Sequence, residues 1–244
     1  MRRSKFFIAS AVMIAAALCA QASVPAAAKA KKKAPTATFK VRIENISSPD
    51  GQTAKDGARW PFALSPGLYA IGQKGAGVFK EGQKASAGLE SQAEDGNPAG
   101  LADALKATGH DGHGVFNTPV GASGPAPIGP GGAYEFTFTA TQGEKLSLVT
   151  MFGQSNDWFY SNAKPIALFD SKGEPVSGDV TSSFTLYDAG TEVDEEPGVG
   201  STQAPRQKAP NTGADEHSVV HRPVKDPFFT RTPQLFRVTI TPVS

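Results

Sequence analysis

Across residues 38–46 the chain alternates between apolar and charged side chains, with Phe39, Val41 and Ile43 set against Lys40, Arg42 and Glu44. A period of two puts the first set on one face of an extended strand and the second set in water. Residues 134–140 repeat the pattern, with Tyr134, Phe136 and Phe138 set against Glu135, Thr137 and Thr139. A chain that writes this period in two distant places, and carries 26 Gly and 19 Pro, has many turns and little room for long helices. The expected class is all-β, an antiparallel β-sandwich with long loops and one or two short helices.

The rest of the chain fills in that outline. Residues 60–71 are apolar but cut by Pro61 and Pro66. Proline cannot donate to a ladder, so this stretch is expected at a sheet edge or as a packed loop. Residues 84–93 and 98–107 suit short helices, the second with Pro98 at its start, Leu101 and Leu105 four apart, and Gly109 as its stop. Residues 110–132 have no period and are expected as loop. Residues 145–152 follow 134–140 after a short Gln142-Gly143-Glu144 connection, which predicts a hairpin. Further strands are expected at 158–160, 166–169, 181–187 and 235–242. Residues 193–233 lack periodicity, and a loop of that length in a compact domain is usually functional or disordered.

The N-terminus is expected to be an address. Arg2, Arg3 and Lys5 precede an apolar run over 6–17, and Ala20-Gln21-Ala22 supplies small residues for cleavage after Ala22. The run is shorter than the ~20 residues that span a bilayer. Leu18 stands before Cys19 where a lipoprotein signal needs a small residue, so Cys19 is expected to leave with the peptide. The reading is therefore a signal peptide over 1–22, an Ala/Lys/Pro leader over 23–37 and one domain over 38–244, secreted or periplasmic, with no membrane span in the mature chain. The mature chain then has no cysteine, which removes thiol catalysis, disulfides and Cys-ligated zinc. Residues 1–33 contain seven Lys or Arg and no acid, so 24 − 7 leaves 17 basic residues against 23 acidic beyond them, a net of −6. A basic leader on an acidic body does not suit nucleic-acid binding.

Chemistry concentrates in two segments. Asp157 stands in Ser155-Asn156-Asp157-Trp158-Phe159-Tyr160, and about thirty residues later comes Tyr187-Asp188-Ala189-Gly190-Thr191-Glu192. The second segment runs on into Asp194, Glu195 and Glu196, so five of the nine residues 188–196 are acidic. Two readings are open: the aspartates cap turns at strand ends, or the crowded like charge is held by a hard cation. The spacing is not that of an EF-hand, because the twelfth position counted from Asp188 is Val199.

The two segments resemble the signature stretches of the spondin N-terminal domain family, in which Ser-Pro-Asp-Trp-Phe is answered by Trp-Asp-Ala-Gly-Thr-Asp. Here Asn156 replaces the proline, Tyr187 the tryptophan and Glu192 the last aspartate. The likeness is sharpest over 146–160 and 184–192 and is closest to the stand-alone bacterial members of the family. It implies a C2-like β-sandwich, a calcium ion, Asp157 and Asp188 as carboxylate ligands, and Glu192 as a third. It also implies a binding or adhesion role toward an extracellular or envelope protein or glycan partner. Trp158, Phe159 and Tyr187 are expected as core residues flanking the site, and Asp194, Glu195 and Glu196 as rim charge.

Other constellations are weaker. His110, His113, His217 and His221, with Asp111 and Glu216, offer donors for zinc and for a metal-dependent hydrolase, but neither pair lies on a helix that would fix its geometry, and polar loop histidines are the alternative. The chain has no Gly-x-Ser-x-Gly elbow and no Walker loop. Two readings are open for Arg206: it pairs with the acidic 192–196 run and ties the loop over the ion, or it stays solvated. No motif argues positively for catalysis, and the expectation is a non-enzymatic module; a purely structural envelope protein is a further alternative.

Overall fold

Strand formation begins where the alternation does. In the computed structural model, which describes residues 34–73, 77–110, 112–162 and 164–243, β1 (Thr36–Asn45) buries Phe39, Val41 and Ile43 and keeps Lys40, Arg42 and Glu44 at the surface. The expected signal peptide and residues 23–33 of the leader lie outside the described residues. After β1 comes a small ribbon of β2 (Gln52–Thr53) and β3 (Arg59–Trp60). The remaining strands are β4 (Leu64–Gly72), β5 (His113–Phe116), β6 (Ala133–Thr141), β7 (Lys145–Phe152), β8 (Trp158–Asn162), β9 (Ile166–Ala167), β10 (Gly178–Asp179), β11 (Phe184–Asp188) and β12 (Phe236–Val243).

These strands build an antiparallel β-sandwich. One sheet has the order β10-β12-β1-β6; the other runs β11-β8-β7-β4-β5, with β9 also beside β7. Between them lies one continuous core in which Phe39, Val41 and Ile43 of β1 meet Leu146 and Leu148 of β7 and Tyr160 of β8. Each large apolar side chain buried this way contributes about 1.5–3 kcal/mol.

A second cluster covers the outer face of the five-strand path. There Leu68 and Ala70 of β4, Val149 of β7 and Phe159 of β8 pack against Leu89 and Ala93 of α1 (Ala87–Asp95) and Leu101 of α2 (Ala99–Ala107). Ser86 caps α1, its Oγ accepting from the Leu89 N–H at 3.2 Å. Helices on this face explain why β7 is buried at every position from Leu146 to Phe152 instead of alternating.

The same layering corrects the expected hairpin. β6 pairs with β1, whereas β7 pairs with β4 and β8, so the 142–144 connection carries the chain between sheets. β6 has one wet face and suits the one-sided sheet; β7 is apolar on both faces and suits the covered one. A second correction concerns the proline-cut stretch, whose later part forms β4 inside its sheet. The register shifts between Leu64 and Gly67, so Ser65 and Pro66 face Met151 in a bulge. The Met151 N–H donates to Ser65 Oγ at 3.0 Å, and Thr150 Oγ1 donates to the Ser65 carbonyl at 2.8 Å. Proline's missing donor is thereby absorbed by a side chain. The expected loop over 110–132 also yields β5, a short edge strand beside β4. Residues 193–233 hold little regular structure: a 3-10 turn at Pro227–Thr230 and the start of the single helical turn α3 (Thr232–Leu235).

Candidate metal centre

Asp157 sits in the turn before β8 and Asp188 ends β11, its immediate neighbour, where Asp188 is in register with Trp158. Strand pairing therefore brings two acids thirty-one positions apart in sequence to the same end of the sheet. The third comes from the long loop. Its 214–221 portion runs antiparallel to the chain after β11, with the Glu216 N–H donating to the Thr191 carbonyl at 2.9 Å and the Ser218 N–H to the Gly190 carbonyl at 2.8 Å. Gly190 allows this approach. Its φ is +68°, and a Cβ there would lie 2.8 Å from the backbone N and O of Val219.

Asp157, Asp188 and Glu216 each offer a carboxylate oxygen, and the three oxygens lie within 4.8 Å of one another. Asp157 and Asp188 are buried, at 0% and 2% exposure, and Glu216 is on the open side. The two oxygens of Asp157 have different surroundings. Oδ2 accepts from the Thr191 N–H at 2.7 Å, the Thr191 hydroxyl at 3.0 Å and the Glu192 N–H at 3.1 Å. Oδ1 is buried and has no hydrogen-bond partner. Asp188 Oδ1 accepts from the Gly190 N–H at 2.7 Å, and Oδ2 accepts from Trp158 Nε1 at 3.2 Å. Turn capping and charge crowding thus coexist at Asp157, whose Oδ2 caps the turn and whose Oδ1 is buried without a partner.

The electrostatics follow from burial and like charge. Burial raises the Asp157 carboxyl above its ordinary range, against three hydrogen bonds that lower it. Asp188 is pushed up to about 6 by burial and then by the charge of Asp157. Asp194 is pushed up to about 8 by burial of its carboxyl end and by Asp188, Asp157 and Glu216. Solvent reaches much of Asp194, so the upward direction is what the cluster establishes there. Several carboxylates in one partly desolvated place resist ionisation together unless a cation shares the site.

The expected site residues fall in two places. Asp157 and Asp188 join the cluster. Glu192 lies outside that triad, buried at 1% exposure, with Oε2 accepting from Asn156 Nδ2 at 3.3 Å and Oε1 without a partner. Asp194, expected as rim charge, is close enough to feel all three carboxylates. Glu195 is a loop organiser whose Oε2 accepts from the Thr202 N–H at 2.9 Å. Arg206 forms no ion pair with the acidic run. Its Nε donates to the Gly200 carbonyl at 2.7 Å and its Nη1 to Gln154 Oε1 at 3.0 Å, ties that hold the loop to itself and to the turn after β7.

Two further acids are placed by the structure. Glu216, expected only as an extra donor to a zinc site beside His217 and His221, reaches the two aspartates through the pairing of 214–221. Glu94 of α1 is buried at 2% exposure with Oε2 unpartnered, and burial pushes its carboxyl up to about 8, with Glu192 and Asp157 adding to the rise. The histidines do not assemble a centre: among the described residues the metal-holding group is the acidic triad, and His221 Nε2 instead lies 3.7 Å from Asp188 Oδ2.

The fold and site together define a class, an antiparallel β-sandwich with an all-oxygen acidic cluster at one end that can hold a metal ion. The chain matches no known protein-family model and no curated protein.

Proposed function

We propose that this protein is an exported, non-enzymatic binding module of the spondin N-terminal domain type, with a structural calcium ion at one end of its sandwich. The observation that carries the reading is Asp157, fully buried, with three donors on one oxygen and none on the other, beside Asp188 and Glu216. An all-carboxylate donor set suits a hard cation. Oxygens bound to calcium at ~2.3–2.6 Å lie no more than about 5 Å apart, and the triad's three oxygens, within 4.8 Å of one another, are close enough to share one ion. A bound calcium ion supplies positive charge that offsets the mutual repulsion of the carboxylates. Asp188 and Glu216 then hold the end of β11 against the 214–221 loop, giving that end a fixed surface for an extracellular or envelope protein or glycan.

No helix among the described residues is long and apolar enough to cross a membrane. The export reading rests on the basic and apolar pattern of residues 1–22.

The experiment is a thermal melt of the mature protein in chelator and in calcium, paired with calorimetric titration of calcium. Calcium should raise the melting temperature and bind with a stoichiometry near one, and Asp157→Asn should abolish both effects. Identical melts in chelator and calcium, with no binding heat, would remove the metal from the proposal.

A further inference from the structure

A cavity of about 710 Å³ opens between the α1–α2 hairpin and residues 77–86, sharing no lining residue with the carboxylate cluster. Its most buried lining residues are Leu89 and Leu101, joined by Val78, Phe79 and Leu105. Phe79 is fixed by edge-on contacts to Phe159 and Tyr187, with ring centroids 5.1 and 4.7 Å apart. The wall it forms is therefore anchored on the covered face of the sheet.

The charged groups are as distinctive as the apolar ones. Lys80 and Lys84, both exposed, line the cavity, and no aspartate or glutamate does. Gln83, Ser86, Thr108 and His110 complete the polar part of its lining. Beyond residue 33 the chain carries 23 acids against 17 bases, so a cavity with an apolar wall, two lysines and no acid departs from its surroundings. We infer that this cavity binds a single-chain aliphatic carboxylate, its chain among the leucines and its headgroup at Lys80 and Lys84. The volume lies in the ~300–1,000 Å³ range of sites that enclose one small ligand. The chain's own leader is a poor occupant because Lys29, Lys31, Lys32 and Lys33 carry the same sign as the rim.

The test uses the mature protein, displacement of 1-anilinonaphthalene-8-sulfonate, and calorimetry. The probes are octanoate, decanoate, decyltrimethylammonium, an acidic amphipathic peptide and phosphatidylglycerol vesicles. Decanoate should displace the dye and bind about tenfold more tightly than the cationic analogue. Each methylene added from octanoate to decanoate should gain roughly fourfold. The surface double variant Lys80→Glu/Lys84→Glu should reverse the preference between carboxylate and ammonium without moving the melting temperature. Leu105→Trp should block both ligands by filling the cavity. Equal affinity for the two headgroups, no displacement by decanoate, indifference to the charge reversal, or binding of peptide or vesicles without decanoate would each overturn the inference. The same titration in chelator should give the same affinity, which separates this site from the proposed calcium.

Discussion

His221 Nε2 lies 3.7 Å from Asp188 Oδ2, and the same two residues exchange both backbone hydrogen bonds, N–H to O at 2.9 and 3.0 Å. The pair is an isolated antiparallel bridge between the end of β11 and the far end of the long loop. It places an imidazole beside a buried acid of the cluster, and it fixes where the loop carrying Glu216 must run.

The first prediction follows from the crowding of the cluster. Asp188→Asn removes one negative charge, and its single amide oxygen can still accept from the Gly190 N–H, while the amide nitrogen takes the place of the oxygen that accepted from Trp158 Nε1. In chelator the variant should be more stable than the parent by about 1 kcal/mol, because relieved repulsion outweighs the lost Trp158 hydrogen bond. In saturating calcium the order should invert, because the parent gains binding energy that the variant lacks. Chemical denaturation under both conditions reads the crossing. A variant less stable than the parent in both would contradict it.

The pH dependence has a definite sign. Asp188 is raised from 3.8 to about 6 and Glu94 from 4.5 to about 8, so both hold a proton in the folded chain that the unfolded chain has released. Stability from these protons is full below about pH 4 and is lost as pH rises through about 6 and then about 8. A tenfold change in a carboxyl's proton affinity on folding is worth about 1.4 kcal/mol, so Glu94 alone moves stability by a few kcal/mol across its window. In chelator the melting temperature should fall from pH 5 to pH 8, and Glu94→Gln should flatten the fall. The calcium-induced rise in melting temperature should grow over the same interval, since the metal competes with those protons. A chelated protein that melts higher at pH 8 than at pH 5 would end this account.

The sequence shows most clearly what local period controls. β1 and β6 are visible because Phe39, Val41 and Ile43, and the Tyr134–Phe138 run, have one wet face each. β4 is hidden because Pro66 argues against an interior strand, and only the structure shows Ser65 Oγ receiving the Met151 N–H. The mistaken hairpin has a similar origin: a short connection fixes that two strands are near, but which faces are covered fixes whether they pair. At the site, Asp157 and Asp188 stand out as acids at turn positions beside aromatics. Glu216 and Glu94 do not, because one arrives through a loop pairing with no period and the other through the docking of α1. Long-range placement of single carboxylates leaves no local trace.

Gly190 gives a test of how the loop is held. Alanine there must adopt a φ near +68° and push its Cβ to within 2.8 Å of the Val219 backbone. The conformational cost is ~1–2 kcal/mol before any clash is counted. Gly190→Ala should therefore lose about 2 kcal/mol or more and weaken calcium binding by displacing Glu216, although no ligand has been changed. An alanine variant that keeps parental calcium affinity would show that the 214–221 segment does not set the site.

The last prediction concerns the bulge that lets β4 run through the interior. Ser65 is 4% exposed, and its hydroxyl oxygen accepts from the Met151 N–H at 3.0 Å and from Gln92 Nε2 at 3.1 Å. It thus joins β4 to β7 on one side and to α1 on the other. Ser65→Ala leaves the Met151 N–H without its acceptor in a dry place, which costs ~1–3 kcal/mol. Gln92 retains the Pro66 carbonyl at 3.0 Å, so α1 should stay docked. Hydrogen exchange distinguishes the two effects: the Met151 amide should lose protection well beyond the global change in stability, while amides of α1 should follow the global change alone. Ser65→Thr keeps the hydroxyl but adds a methyl where Gly96 already packs closely, so it should restore the Met151 protection only partly. Uniform loss of protection across β7 and α1 in the alanine variant would mean that the hydroxyl serves general packing and not the bulge.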